Sequence, residues 1–277
     1  MVAFSTTQIS STIFRIVEDD PFNENPFIYF ITCTRFDVDV LIDTGCGTDD
    51  LLEFLFRQFD LQRHGRDKKD LCMGSGDKNY SSDLFNSLGQ FVGCKVKSYS
   101  VTRWLTDGEI INLNTSPGNE EKVANSGNIE NYLQVIHCPG HTPDSVAIWY
   151  PTEGRLFVGD FIYRWANIMA IGVGSSCTQY LASTRKLIEF VELHQTQNLR
   201  ITLCCGHIDD NLSPDFLVEF ETLLNKMLGS WCWRGFGLWF AEYSNADKSI
   251  AFTYRRLMLM DFILKPIMKA ICWLLRC

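Results

Sequence analysis

The stretch PGHTPDSVAIWYP (139–151), with RLFVGD (155–160) close behind it, decides how the rest of the chain is read. A Pro-Gly break at 139–140 ends an apolar run over 132–136. A second run rich in β-branched and aromatic residues covers 145–150, Thr152-Glu153-Gly154 turns the chain, and 155–159 is a third run. Short apolar runs bounded by Gly and Pro read as strands. The polar residues sit just beyond the strand ends: His141 in the first break and Asp160 after the third strand.

The pattern recurs outward in both directions. Asp43 follows Val40-Leu41-Ile42, and His207 follows Ile201-Thr202-Leu203-Cys204-Cys205-Gly206. Each of these four polar residues lies within two positions of a glycine, which permits tight turns and close backbone approach. Further strands are expected at 13–17, 94–99 and 200–204, and 27–35 with 36–42 reads as a hairpin across a tight join. Thr48-Asp49-Asp50 is an N-cap signal before Leu51, Leu52, Phe54, Leu55 and Phe59 at helical spacing. Helices are also expected at 83–91, 183–194 and 214–228. Residues 19–26, 60–70 and 115–128 are turn-rich or polar breaks. Strand meanders with helices between them predict a layered α/β domain, helices outside stacked sheets.

Composition narrows the function. The 277 residues are 46% hydrophobic and 21% charged, enough apolar material for a sizeable core. The 33 acidic residues outnumber 25 basic ones, a formal charge of -8 that repels phosphate backbones and argues against a nucleic-acid partner. Eleven cysteines, with no C-x-x-C pair and no apolar leader near the N-terminus, point to a reducing, cytoplasmic setting. Most of these thiols, Cys138 and Cys205 included, read as small buried hydrophobes.

His141, Asp160 and His207, carried on separate strands, form a donor set of the kind zinc or iron accepts. Asp43-Thr44-Gly45, Pro139-Gly140-His141-Thr142, Gly159-Asp160 and Gly206-His207, in this order, resemble the metallo-β-lactamase superfamily over about 40–208. The segments 101–107 and 116–118, with Ile162-Tyr163, are most similar to its acyl-coenzyme A thioesterase branch. The resemblance implies an αββα sandwich of two mixed β-sheets flanked by helices, with a metal site at one sheet edge. It implies that His141 and His207 are metal ligands, that Asp160 bridges, and that Asp43 orients ligands from beneath. His137, four residues before His141, reads either as a partner of the ligands or as a partly buried imidazole.

The superfamily's front motif, His-x-His-x-Asp-His, is absent. The chain has five histidines, at 64, 137, 141, 194 and 207, and none forms a His-x-His. The flanking pattern places Asn79, Ser81 and Leu84 where histidines are expected, and Asp83 where the aspartate is. Asn and Ser are poor ligands for a borderline metal and Leu is none. One ion held by His141, Asp160, His207 and Asp83 is expected, zinc first, with iron or manganese as alternatives. Asp83 would serve as a ligand or as the general base. His64 lies in a densely charged stretch that reads as solvated surface, and His194 reads as a helix-end cation.

Two functions follow. The first is a metal-dependent hydrolase acting on a small-molecule acyl thioester. The second is a pseudoenzyme that keeps the sandwich as a binding or membrane-tethered scaffold. The main domain is placed at 1–250, with a basic amphipathic helix at 251–277. Residues 255–276 carry a net +4, leaving -12 on the remainder. A basic helix with a broad apolar face suits either a membrane surface or docking on the domain. Cys272 and Cys277 are candidate acylation sites, and Pro266 would kink the helix.

Overall fold

A computed structural model describes residues 4–32, 38–59, 70–83, 99–114, 131–196, 199–229 and 240–255. The N-terminal half builds an antiparallel sheet of β1 (Phe4–Gln8), β2 (Ile13–Glu18), β3 (Phe27–Ile31) and β4 (Val40–Ile42), in that spatial order. Helix α1 (Leu51–Gln58) follows, capped by the Asp50 carboxylate on Glu53 N. The small strands β5 (Cys72–Gly74) and β6 (Arg103–Leu105) pair in parallel, and α2 (Lys78–Ser82) lies between them in sequence.

The second sheet is mixed. It comprises β7 (Ile110–Asn112), β8 (Tyr132–His137), β9 (Val146–Tyr150), β10 (Arg155–Gly159) and β12 (Thr202–Cys205), ordered β12-β10-β9-β8-β7. Its β10–β12 pair is parallel and the others are antiparallel. Helices α3 (Cys177–His194) and α4 (Asp215–Gly229) cover it. A three-stranded sheet of β11 (Asn167–Ala170), β13 (Phe240–Ser244) and β14 (Ala251–Arg255) completes the described residues, in the order β11-β14-β13.

The layers follow from strand periodicity, since alternate side chains of a strand point to opposite faces. On β3, Phe27, Tyr29 and Ile31 point into one cluster with Val135, Ile148, Tyr150, Phe157 and Cys204 of the second sheet. Ile28 and Phe30 point the other way, onto Phe4, Ile16 and Leu55 of α1. On β10, Phe157 faces the first sheet, while Leu156 and Val158 join Tyr180, Leu187, Phe220 and Leu224 of the covering helices. The order is therefore helix, sheet, sheet, helix.

Several expectations change. The polar N-terminus contains β1, whose apolar anchor is the buried Phe4. Asp77 caps α2, and Asp83 ends it with extended φ and ψ of -94° and 107°; the rest of the helix expected at 83–91 lies outside the described residues. Residues 84–91, 94–98, 60–69 and 115–130 lie outside the described residues. Ala251–Arg255, the start of the segment read as a C-terminal helix, is a strand. Phe252 and Tyr254, two apart and both buried, share the face that a strand period of two gives them. Residues 256–277, with Cys272 and Cys277, lie outside the described residues. Among the described residues no helix is long and apolar enough to cross a membrane.

Candidate metal centre

The three residues from the second sheet converge. His141 Nε2 lies 3.8 Å from Asp160 Oδ2, and His207 Nε2 lies 3.3 Å from Asp160 Oδ1. Both imidazoles thus address the two oxygens of one carboxylate, with all three side chains partly accessible to solvent.

Each residue is set by its strand end. Beyond β8, Gly140 adopts φ +152°, and a Cβ there would lie 2.5 Å from the Tyr180 Cα of α3. That close approach lets Ser183 Oγ donate to Pro139 O (2.7 Å), Ser176 N to Gly140 O (2.9 Å) and Ser175 Oγ to His141 O (2.6 Å). At the end of β10, the pairing with β12 shifts register between Phe157 and Gly159, and Gly159 takes φ +54°. Asp160 emerges from this irregularity, with Tyr180 Oη donating to the carbonyls of Asp160 (3.2 Å) and Phe161 (2.7 Å). Gly206 forms the cradle: a Cβ there would stand 2.5 Å from Asp160 Oδ1, and its N–H donates to Gly159 O (2.7 Å). His207 follows, its Nδ1 2.8 Å from Glu24 O and its ring edge-to-face with Tyr163 at 5.7 Å.

Two further segments close the site. Asp43 ends β4 at φ +72°, and its Oδ1 accepts from Thr44 N (2.6 Å) and Gly45 N (2.9 Å). The carboxyl touches solvent but lies in a protein recess. Desolvation raises its pKa against its two backbone hydrogen bonds, and the negative field of Asp160 raises it further. The Arg164 guanidinium and backbone N–H grip Asp209 at 2.8 and 2.7 Å, tying the loop after Asp160 to the loop after His207. Beside this clamp, Trp165 and Ile208 have positive φ (61° and 63°) and are 65% and 47% exposed.

The donor chemistry suits a cation. Glu24 O can only accept, so the Nδ1 of His207 is the protonated nitrogen and donates to it. Its Nε2 then faces a carboxylate oxygen, an arrangement that a proton or a metal ion between them makes favourable. Donors at ~2.0–2.1 Å on a tetrahedral zinc ion are about 3.3 Å apart, which is the Asp160–His207 spacing. The Nδ1 of His141 is buried and has no hydrogen-bond partner among the described residues. Burial lowers the pKa of His141, with the neighbouring His207 acting in the same direction and Asp160 against them. Burial thus favours the neutral, ligating form of the ring. Among the described residues no three His, Cys, Asp or Glu side chains are gathered closely enough to enclose an ion as they stand. His141 would have to move in on its Asp160 oxygen.

The remaining candidates fall elsewhere. The His137 ring is held by Leu105 O at 3.0 Å. His194 stacks on Phe190, with Nδ1 2.8 Å from Phe190 O. Cys138 and Cys205 are fully buried, and burial pushes the Cys138 thiol up to about 12. Asp83 is exposed at the end of α2. Ser81, at a position aligned with a front-motif histidine, is buried and donates to Asp144 Oδ2 (2.5 Å), while Thr142 Oγ1 donates to Asp144 Oδ1 (2.7 Å). Leu84 and His64 lie outside the described residues.

Sequence reasoning missed Glu18 and Asp20. Glu18 is fully buried at the end of β2 and accepts from the backbone N–H groups of Cys46, Gly47 and Thr48 (2.6, 3.3 and 2.7 Å), shaping the loop after Asp43. The available signal is an acidic run closing an apolar strand, which on residue type alone reads as the start of a break.

Comparison with known proteins bears on the fold that carries this geometry. Residues 127–192 match the family model described as the metallo-beta-lactamase superfamily. A metallo-beta-lactamase from Pontibacter korlensis superposes with a TM-score of 0.52 at 15% identity, covering 80% of this chain and 99% of that one. A metallo-beta-lactamase family protein from Thermus thermophilus gives 0.54 at 14% identity, covering 80% and 82%. Among curated proteins, one from Aspergillus versicolor named "Putative transcription factor avaE" is 23% identical over 256 residues, spanning 79% of this chain and 74% of that one. The chain has the metallo-beta-lactamase fold, and residues 127–192 carry the sequence pattern of that superfamily.

Proposed function

We propose that the chain is a single-metal hydrolase acting on a small-molecule ester or thioester, with acyl-coenzyme A thioesters as the substrate class. The observation that carries this reading is the convergence of His141 and His207 on the two oxygens of Asp160. These three residues would hold one ion, zinc first, with iron or manganese as alternatives. Asp83, two residues beyond the Ser81 hydroxyl that bonds Asp144, would serve as a further ligand or as the general base. When bound, such an ion polarises a carbonyl and lowers the pKa of its water towards ~7. The rest is the work of this chain. Neutral His141 presents its Nε2, Gly206 leaves room for the Asp160 carboxylate, and the Arg164–Asp209 clamp holds the two loops together. The exposed Trp165 and Ile208 offer apolar surface for an acyl chain beside the site.

The thioester assignment is supported by the sequence resemblance at 101–107 and 116–118. With 33 acids against 25 bases, no nucleic-acid partner is proposed. The proposed setting is the cytoplasm, with the basic segment 256–277 as the part that would meet a membrane surface.

The test combines elemental analysis of tag-free protein with thiol release from acyl-coenzyme A of graded chain length. About one equivalent of metal and measurable turnover are expected, both lost in His141→Ala and His207→Ala. Parent-like turnover in His141→Ala would overturn the mechanism. Absence of metal after soaking would favour the scaffold reading.

A further inference from the structure

The turn between β2 and β3 is folded around one buried carboxylate. Asp20 is 6% exposed. Its Oδ1 accepts from Phe22 N (2.8 Å) and Glu24 N (3.4 Å), and its Oδ2 from Asn25 N (2.6 Å). Its carbonyl accepts from Asn23 N at 3.3 Å. Asn23 and Asn25 sit at φ +62° and +48°, the left-handed region that asparagine tolerates better than most side chains. Burial would raise the Asp20 pKa, but the backbone donors outweigh it and hold the carboxyl below its usual range.

The turn has a chemical consequence at the metal centre. It delivers Glu24 O to 2.8 Å from His207 Nδ1. The adjoining strand fixes the other side of the same loop, with Phe27 N donating to Gly206 O at 2.7 Å. A carbonyl on Nδ1 commits that nitrogen to carrying the proton and turns Nε2 towards Asp160. The side chain of Glu24 has no part in this contact.

We infer that Asp20 is a positioning residue for His207, shaping the 20–25 turn so that the Glu24 carbonyl fixes the tautomer and direction of the ring. The inference rests on His207 being a metal ligand, as proposed above. Outer hydrogen-bond partners of ligating histidines are worth about 10- to 100-fold in metal affinity.

Asp20→Ala, Asp20→Asn and Glu24→Ala would be compared with the parent by two readouts. The first is the Nδ1–H signal of His207 in ¹⁵N-labelled, metal-free protein. The second is zinc affinity by chelator competition. The parent should show a protected Nδ1–H. Asp20→Ala should lose it and bind zinc about 10- to 100-fold more weakly. Asp20→Asn, which keeps one acceptor oxygen, should fall between, and Glu24→Ala should match the parent. If Asp20→Ala does not fold, the Asn variant carries the same test. A folded Asp20 variant with a parent-like Nδ1–H and a zinc Kd within about twofold of the parent would overturn the inference. So would a Glu24→Ala defect as large as that of Asp20→Ala. A parent that binds no zinc would instead refute the proposed function, and the Nδ1–H comparison would still decide the role of Asp20.

Discussion

Asp43 holds a backbone conformation that few side chains accept. At φ +72° a β-branched residue would be strained by about 1–3 kcal/mol, whereas Asn tolerates this region and keeps the oxygen that accepts from Thr44 and Gly45. Asp43→Asn and Asp43→Val therefore separate shape from charge. Desolvation in its recess and the nearby Asp160 raise the folded pKa of Asp43 above its unfolded value near 3.8. Ionising it costs stability, which is fully present below pH 3.8 and is lost as pH rises through the raised folded pKa. With chelator present at pH 7, Asp43→Asn should melt above the parent and Asp43→Val below it. The parent–Asn difference should vanish below about pH 3.8. A lower melting temperature for Asn than for the parent at pH 7 would contradict the assignment.

Between elements, the contact that matters most to the site crosses the two sheets. Tyr29 of β3 lies between them and donates through its hydroxyl to Cys205 O of β12, 2.6 Å away and buried. Tyr29→Phe leaves that carbonyl short of a donor at the strand end that presents His207. It should cost about 1–2 kcal/mol in chemical denaturation, and a change below about 0.3 kcal/mol would mean the carbonyl finds another partner. The strands around the site were legible because their apolar runs end in Gly-Asp and Gly-His pairs. His141, Asp160 and His207 could be ordered from those endings alone. The loops that shape the site were less legible. Glu18 and Asp20 act on backbone N–H groups distant in sequence or folded back locally, and nothing in residue type distinguishes them from solvated acids. Strands β5 and β6 have only three residues each, β1 lies in a polar Ser/Thr-rich stretch, and β14 was hidden by a helix-like basic pattern that begins just after it.

For the whole molecule, one consequence of a shared core is chemical silence. Cys138, Cys177, Cys204 and Cys205 are buried, and burial pushes the first three thiols up to about 12 and the fourth well above its usual value. In native protein at about pH 8, near the pKa of a free thiol, these four should resist iodoacetamide, as judged by peptide mass spectrometry, and all should label in denaturant. Native labelling of Cys138 or Cys205 would show that the helices open from the second sheet. A longer consequence belongs to the peg at α2. Ser81 is packed out of solvent and bonded to Asp144, which in turn holds Thr142 beside His141. A histidine introduced at 81 would have to break that bond and find volume where a small hydroxyl now fits, before any second ion could reward it. Ser81→His should therefore lower stability even when metal is supplied, because the Asp144 bond and the packing around a small hydroxyl are lost together.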